Sequence, residues 1–143
     1  MKNNQQTVGF LRLIGSIFYD SLLLTAVLFF ATFALLLIPQ QLQHAGPYLE
    51  LAKLAWYVFV SYCYFAGFWY KGRQTPGMRT WQIELVDMQG GKVTMKQVTL
   101  RFFSAILSWL LAGLGFLWRL IDRNNYSLHD HLSGSKLQRI RKS

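Results

Sequence analysis

The sequence predicts an all-α membrane bundle with two long transmembrane helices, a third broken or re-entrant apolar segment and a small cytoplasmic β element. Three observations favour it. Hydrophobic residues make up 52% of the chain and charged residues only 15%, well below the roughly 25% charged residues of soluble domains. The charge-free run at 21–38 has about the length of a membrane span. The basic residues, 15 against 6 acidic ones, lie mainly beside apolar segments, which suits a membrane surface. We treat residues 1–143 as one domain.

The first apolar segment runs from about Leu13 to Ile38 and ends at Pro39. As a helix it would be roughly 39 Å long, more than the ~30 Å hydrocarbon core. We therefore expect it to tilt, or to leave its first turns in the interface. The preceding residues lack the features of a cleaved signal peptide, so the segment is interpreted as a retained first span.

Two further apolar segments follow. The second covers about residues 54–70 and has aromatic pairs at both ends, as expected for side chains in the membrane interfaces. The third covers residues 102–121, is interrupted by Gly113 and Gly115, and carries Arg119.

The distribution of basic residues predicts the orientation. One lysine lies in the short connector after the first segment, whereas six basic residues lie in the long connector after the second. This places the N-terminus and the long connector in the cytoplasm. The basic tail after residue 121 conflicts with three full spans. Either the glycine break makes the third segment re-entrant, which we favour, or the segment spans and the charge rule fails for the tail.

The long connector also contains a strand signal. Residues 81–88 and 92–95 flank a Gly-Gly pair, which predicts a two-stranded hairpin. Residues 135–140 alternate apolar and polar side chains and would add a third strand.

A polar stripe lies on the first segment. On a helix, Arg12, Gly15, Ser16, Tyr19 and Asp20 share one face. An ionisable residue at the depth of Asp20 is costly and marks a candidate site. The stripe serves either as an ion or proton relay with Asp20 as the titrating group, or as a polar cluster that holds the helices in register, which we favour. Arg12 and Asp20 are two turns apart, so each is expected to meet a partner from another segment, or water.

A turn with basic residues follows the second segment. The sequence GRQTPGMR at 72–79 is rich in turn formers. Lys71, Arg73 and Arg79 are positioned to contact anionic lipid head groups. The Lys-Ser/Thr ending of a nucleotide-binding P-loop is missing, and no nucleic-acid-binding motif accompanies the basic composition.

The stretch SLHDHLSG at 127–134 places one histidine on either side of an aspartate. Its two histidines are two positions apart and would point away from each other on a helix, which disfavours a metal site. We expect Asp130 to accept hydrogen bonds from the backbone, from Arg101 or from Arg119, with His129 as a supporting polar group.

These stretches together resemble the RDD family of bacterial membrane proteins, named for one arginine and two aspartates. The resemblance rests on GFLR at 9–12, YD at 19–20, GRQTPGMRTWQI at 72–83, an isolated Arg101, and SLHDHLSG at 127–134. By position, Arg12 is the arginine and Asp20 and Asp130 are the aspartates. Ser135 stands where the family usually has threonine. The resemblance implies a small multi-span protein of the bacterial cytoplasmic membrane, in a family with an unsettled role for which transport is often suggested.

Two functional hypotheses follow. In the first, the chain is a transport or ion-coupling component in which Asp20 takes up a proton or cation, while Arg12 and Asp130 shape the cytoplasmic entrance. Three segments are few for a pathway, so this requires a homo-oligomer or a membrane protein partner. In the alternative, the chain is a non-catalytic adaptor or assembly module that binds lipid or a protein. No nucleophile, base and stabiliser come together, so neither an enzyme nor a cofactor is predicted.

Overall fold

The computed structural model describes residues 8–39, 46–111, 121 and 127–140 of the chain. Within these residues, helices predominate and one small sheet is present. In chain order the elements are α1 (Phe10–Leu35), α2 (Pro47–Gly72), α3 (Pro76–Thr80), β1 (Ile83–Asp87), α4 (Met95–Leu110), α5 (Leu128–Ser133) and β2 (Ser135–Arg139).

The two predicted long helices are confirmed as α1 and α2. Each has 26 residues, about 39 Å of helix, and each is long and apolar enough to cross a membrane. Only 17% of the most apolar stretch of α1 and 6% of that of α2 are buried, unlike the core helix of a soluble protein. α2 begins at Pro47, earlier than its apolar run suggested, because proline in the first turn favours helix initiation.

The predicted hairpin is wrong, although its first strand is present. β1 pairs antiparallel with β2, so that Leu85 lies opposite Leu137. Residues 92–94 form no strand because Thr94 caps α4: its hydroxyl accepts the Gln97 backbone N–H, and the Gln97 side chain accepts the Thr94 N–H. This capping box starts a helix where a second strand was expected. The strand predicted near the C-terminus is confirmed and pairs with β1 directly.

The third apolar segment begins as α4, seven residues before the predicted start, because of the same capping box. Its glycine break at 113–115 and Arg119 lie outside the described residues. The choice between a re-entrant and a spanning segment therefore stays a prediction.

The hydrophobic core lies where the sheet meets α4 and the end of α2. Ile83, Leu85 and Val98 are completely buried. α4 packs on α2 through Tyr62, whose ring lies 5.4 Å from that of Phe102. α1 packs against α2 and α3. Ser16 and Asp20 of α1 therefore lie near Arg101 of α4.

Candidate functional site

Asp20 lies on the narrow buried stripe of α1 and binds the start of α3. The buried residues of α1 are Leu13, Ser16 and Asp20, which share one helix face. The Thr75 hydroxyl donates to one carboxylate oxygen of Asp20, and the Gly77 backbone N–H donates to the other at 2.9 Å. Thr75 is also the N-cap of α3. A carboxylate inside α1 therefore fixes the first turn of α3, where orphan backbone N–H groups favour an anion.

Two glycines allow this close contact. A Cβ atom on Gly77 would lie 2.5 Å from the Ser16 carbonyl oxygen and 2.8 Å from the Asp20 carboxyl carbon. A Cβ atom on Gly15 would collide with the indole ring of Trp81. Only glycine fits at position 77 without displacing the backbone of α1, whereas a side chain at position 15 would require the Trp81 ring to move.

Arg12 lies two turns before Asp20 and binds the far end of the same connector. Its guanidinium donates to the Trp81 carbonyl oxygen at 3.3 Å. The prediction that Arg12 and Asp20 each meet a partner from another segment is confirmed, since both sets of partners lie within residues 75–81.

Asp130 forms a second and separate site with Arg101. The Arg101 guanidinium donates to one Asp130 oxygen at 2.5 Å, while the Ser127 backbone N–H donates to the other at 2.8 Å. Arg101 also donates to the Ser135 hydroxyl at 3.1 Å. Both charged side chains are almost completely buried, with 3% and 2% exposed. The expected pairing with Arg101 is confirmed, and it joins α4 to α5 and β2.

The remaining predicted residues differ in their surroundings. Ser16 is buried beside Asp20, whereas Tyr19 is exposed because α3 covers only the Ser16–Asp20 edge of the predicted stripe. Lys71 and Arg79 are exposed. Arg73 lies 4.0 Å from Glu84. The side chains of Arg119 and His129 lie outside the described residues.

Sequence reasoning missed Thr75 and Gly77, which are the donors to Asp20. The Thr-Pro-Gly sequence at 75–77 was interpreted only as a turn, although a threonine followed by proline is a helix N-cap signal.

The Asp20 and Arg101 sites open on one cavity of about 450 Å³. α1 and α4 form its opposite walls, and Trp69 of α2 and Met78 of α3 complete it. Asp20 and Arg101 line this cavity, whereas Arg12 and Asp130 do not. The predicted arginine and aspartates therefore do not form one cluster: Arg12 and Asp20 bind residues 75–81, and Asp130 pairs with Arg101.

The two long apolar helices α1 and α2 expose most of their surface and are candidate membrane spans. They identify the class of this chain as a helical membrane protein. The model of the RDD family matches residues 7–134, most of the 143 residues, and the chain belongs to this family. No significant match is found among curated proteins or among solved structures.

Proposed function

We propose that the chain is a non-catalytic, multi-pass module of the bacterial cytoplasmic membrane that binds anionic lipid head groups at its cytoplasmic surface. The supporting observation is how the charges are distributed. Asp20 and Asp130 accept hydrogen bonds from the chain itself, so they serve to hold helices together. Lys71, at the end of α2, and Arg79, on α3, are exposed and have no acidic partner within 4.0 Å in the described part of the chain.

The physical basis is the negative potential of a membrane surface. Basic residues next to a span gain about 1 kcal/mol each from anionic lipids. The same residues set the orientation by the positive-inside rule, with the N-terminus and the long connector in the cytoplasm. Arg12, at the start of α1, would lie at this same surface.

The test measures how much anionic lipid the protein retains. The double variant Lys71→Gln/Arg79→Gln, in nanodiscs that contain phosphatidylcholine and phosphatidylglycerol, should bind phosphatidylglycerol roughly tenfold or more weakly, because two attractions of about 1 kcal/mol are lost. Native mass spectrometry of the released protein gives the bound lipid.

Lys53→Gln is the matched control. Lys53 lies near the opposite end of α2 and pairs with Glu50 at 2.8 Å, so its loss should leave phosphatidylglycerol binding unchanged. Equal lipid retention by the double variant and the wild type would contradict the proposal.

A second candidate function is a transport or ion-coupling component that works as a homo-oligomer or with a membrane partner. Asp20 supports it, because this carboxylate lines the cavity and no cationic side chain among the described residues pairs with it.

Proteoliposomes separate the two candidates. A binding module produces no ion flux, and Asp20→Asn lowers its stability by about 1–3 kcal/mol because Thr75 and Gly77 lose a charged acceptor. Flux through the wild type that disappears in a folded Asp20→Asn variant would replace the lipid-binding module with a transporter.

A further inference from the structure

The cavity between α1 and α4 has a polar end and an apolar end. Ser16 and Asp20 on α1, Thr75 before α3, and Arg101 on α4 lie at the end next to the sheet. Both long walls then run away from the sheet, and their later lining residues are apolar: Leu24, Ala105, Ile106, Trp109 and Leu110. Its volume of about 450 Å³ falls within the roughly 300–1,000 Å³ of small-molecule sites. This shape and polarity suit an amphiphile.

The charges at the polar end favour a cationic head. Arg101 lines the cavity, but its charge is neutralised by Asp130 at 2.5 Å. Asp20 accepts one hydrogen bond on each oxygen, from Thr75 and Gly77, and the Tyr64 hydroxyl of α2 also faces this carboxylate. A carboxylate has about four acceptor positions, so Asp20 can still accept a donor from a ligand.

The aromatic side chains of the wall favour the same ligand. Phe65, Trp69 and Phe102 line the cavity beside its polar end, and aromatic faces attract cations. The Trp69 ring already lies 5.7 Å from the Arg101 guanidinium, so the attraction for a ligand comes from Phe65 and Phe102. A carboxylate without a cationic partner among the described residues, next to aromatic rings, therefore selects an ammonium group over a carboxylate or a phosphate.

We propose that this cavity binds a single-chain amphiphile that carries a protonated primary amine. The ammonium donates to Asp20, and the alkyl chain lies between Leu24 and Ile106. The site is distinct from the surface contacts of Lys71 and Arg79, and it does not depend on them.

The first experiment compares three probes with the same twelve-carbon chain: dodecylamine, dodecanol and dodecanoate. The protein is placed in phosphatidylcholine nanodiscs, which contain no primary amine, and binding is measured by calorimetry against empty nanodiscs. Saturable binding of dodecylamine should be roughly tenfold or more tighter than that of dodecanol, as for a hydrogen bond to a charged group. Dodecanoate should not bind saturably. Equal affinities for all three probes would overturn the proposal.

Variants then locate the binding. Ile106→Trp fills the apolar end and should abolish saturable binding of both dodecylamine and dodecanol. Leu107→Trp is the matched control, because Leu107 is half exposed and does not line the cavity. Dodecylamine binding that survives Ile106→Trp would place the ligand elsewhere and overturn the site.

Asp20→Asn tests the head group. This substitution should lower the affinity for dodecylamine to that for dodecanol, while the affinity for dodecanol stays unchanged. A dodecylamine affinity equal to that of the wild type would overturn the role of Asp20. If Asp20→Asn fails to fold, the probe series and the Ile106/Leu107 pair still decide the outcome.

A final comparison identifies the source of the amine. Phosphatidylethanolamine carries the same primary ammonium on a membrane lipid. If nanodiscs with half of this lipid show weaker dodecylamine binding, the lipid competes for the cavity. Unchanged dodecylamine binding assigns the site to a free long-chain amine.

Discussion

The Asp20 and Asp130 sites both hold the start of a short helix through a buried carboxylate, but they differ in whether a cation neutralises that carboxylate. In each, a buried carboxylate accepts a backbone N–H at the start of a short helix, Gly77 in α3 or Ser127 before α5. Asp130 adds an ion pair with Arg101, whereas Asp20 accepts from the neutral donors Thr75 and Gly77 and has no ion pair among the described residues. The neutralised site joins α4 to α5 and β2. The site without a cation lies on the cavity wall, where its charge can act on a ligand.

The largest expected effect is at the Asp130 site. Arg101→Met should lower the free energy of unfolding by about 3–5 kcal/mol, because it leaves a buried carboxylate without its counter-ion. Denaturant titration in detergent measures this loss. Adding Asp130→Asn to Arg101→Met should recover part of it, because the uncompensated charge is then removed. A loss no greater than that of Asp20→Asn, about 1–3 kcal/mol, would break the distinction between the two sites.

A medium effect is expected at the Asp20 site. Gly77→Ala should cost about 1–3 kcal/mol, since the added methyl group forces α3 away from the Ser16 carbonyl and Asp20. The same titration measures it. Gly67→Ala is the control, because a Cβ atom there meets nothing within 4 Å and alanine favours a helix interior. If Gly77→Ala is as stable as the wild type, Asp20 does not require the close approach of α3.

The smallest effect concerns Asp87, a half-buried carboxylate of β1 that lies outside the two long apolar helices. The Gln97 amide at 2.5 Å, with the Gln89 backbone N–H, holds the pKa of Asp87 below its usual value of 3.8. This interaction therefore stabilises the fold above pH 3.8, and the stabilisation is lost as the pH falls through the lowered pKa.

In Gln97→Leu, the free energy of unfolding should therefore fall less than in the wild type as the pH is lowered from about 5 to about 2. Unfolding midpoints across this range measure it, with Asp87→Asn as the reference that removes the titration altogether. If the wild type and Gln97→Leu show the same slope against pH, Gln97 does not set the acidity of Asp87.

Local sequence patterns predicted the parts of the fold that depend on local interactions. The apolar runs predicted α1 and α2, and helical spacing placed Ser16 and Asp20 on one buried face. The Thr94–Gln97 capping box is also a local pattern, but it was not recognised, and the Gly-Gly pair at 90–91 was interpreted as a hairpin turn. That interpretation produced the wrong hairpin.

The rest depends on contacts between distant segments. Nothing local in β1 specifies β2 as its partner, since the pairing requires α4 and α5 to fold between them. The donors to Asp20 come from a connector that reaches α1 only because Gly77 and Gly15 permit it. The cavity is lined by residues of four helices, so no spacing of residues along the chain predicted that Asp20 and Arg101 would share it.

The pairing of β1 with β2 has a consequence for biosynthesis. A ribosome delivers residues 83–87 well before residues 135–139, so the first strand waits with its backbone donors and acceptors unpaired while the intervening helices are made. Insertion of α1 and α2 into the bilayer can therefore precede closure of the sheet. A peptide that pairs with β1 before β2 is synthesised would leave α1 and α2 inserted while the β1–β2 sheet stays unformed.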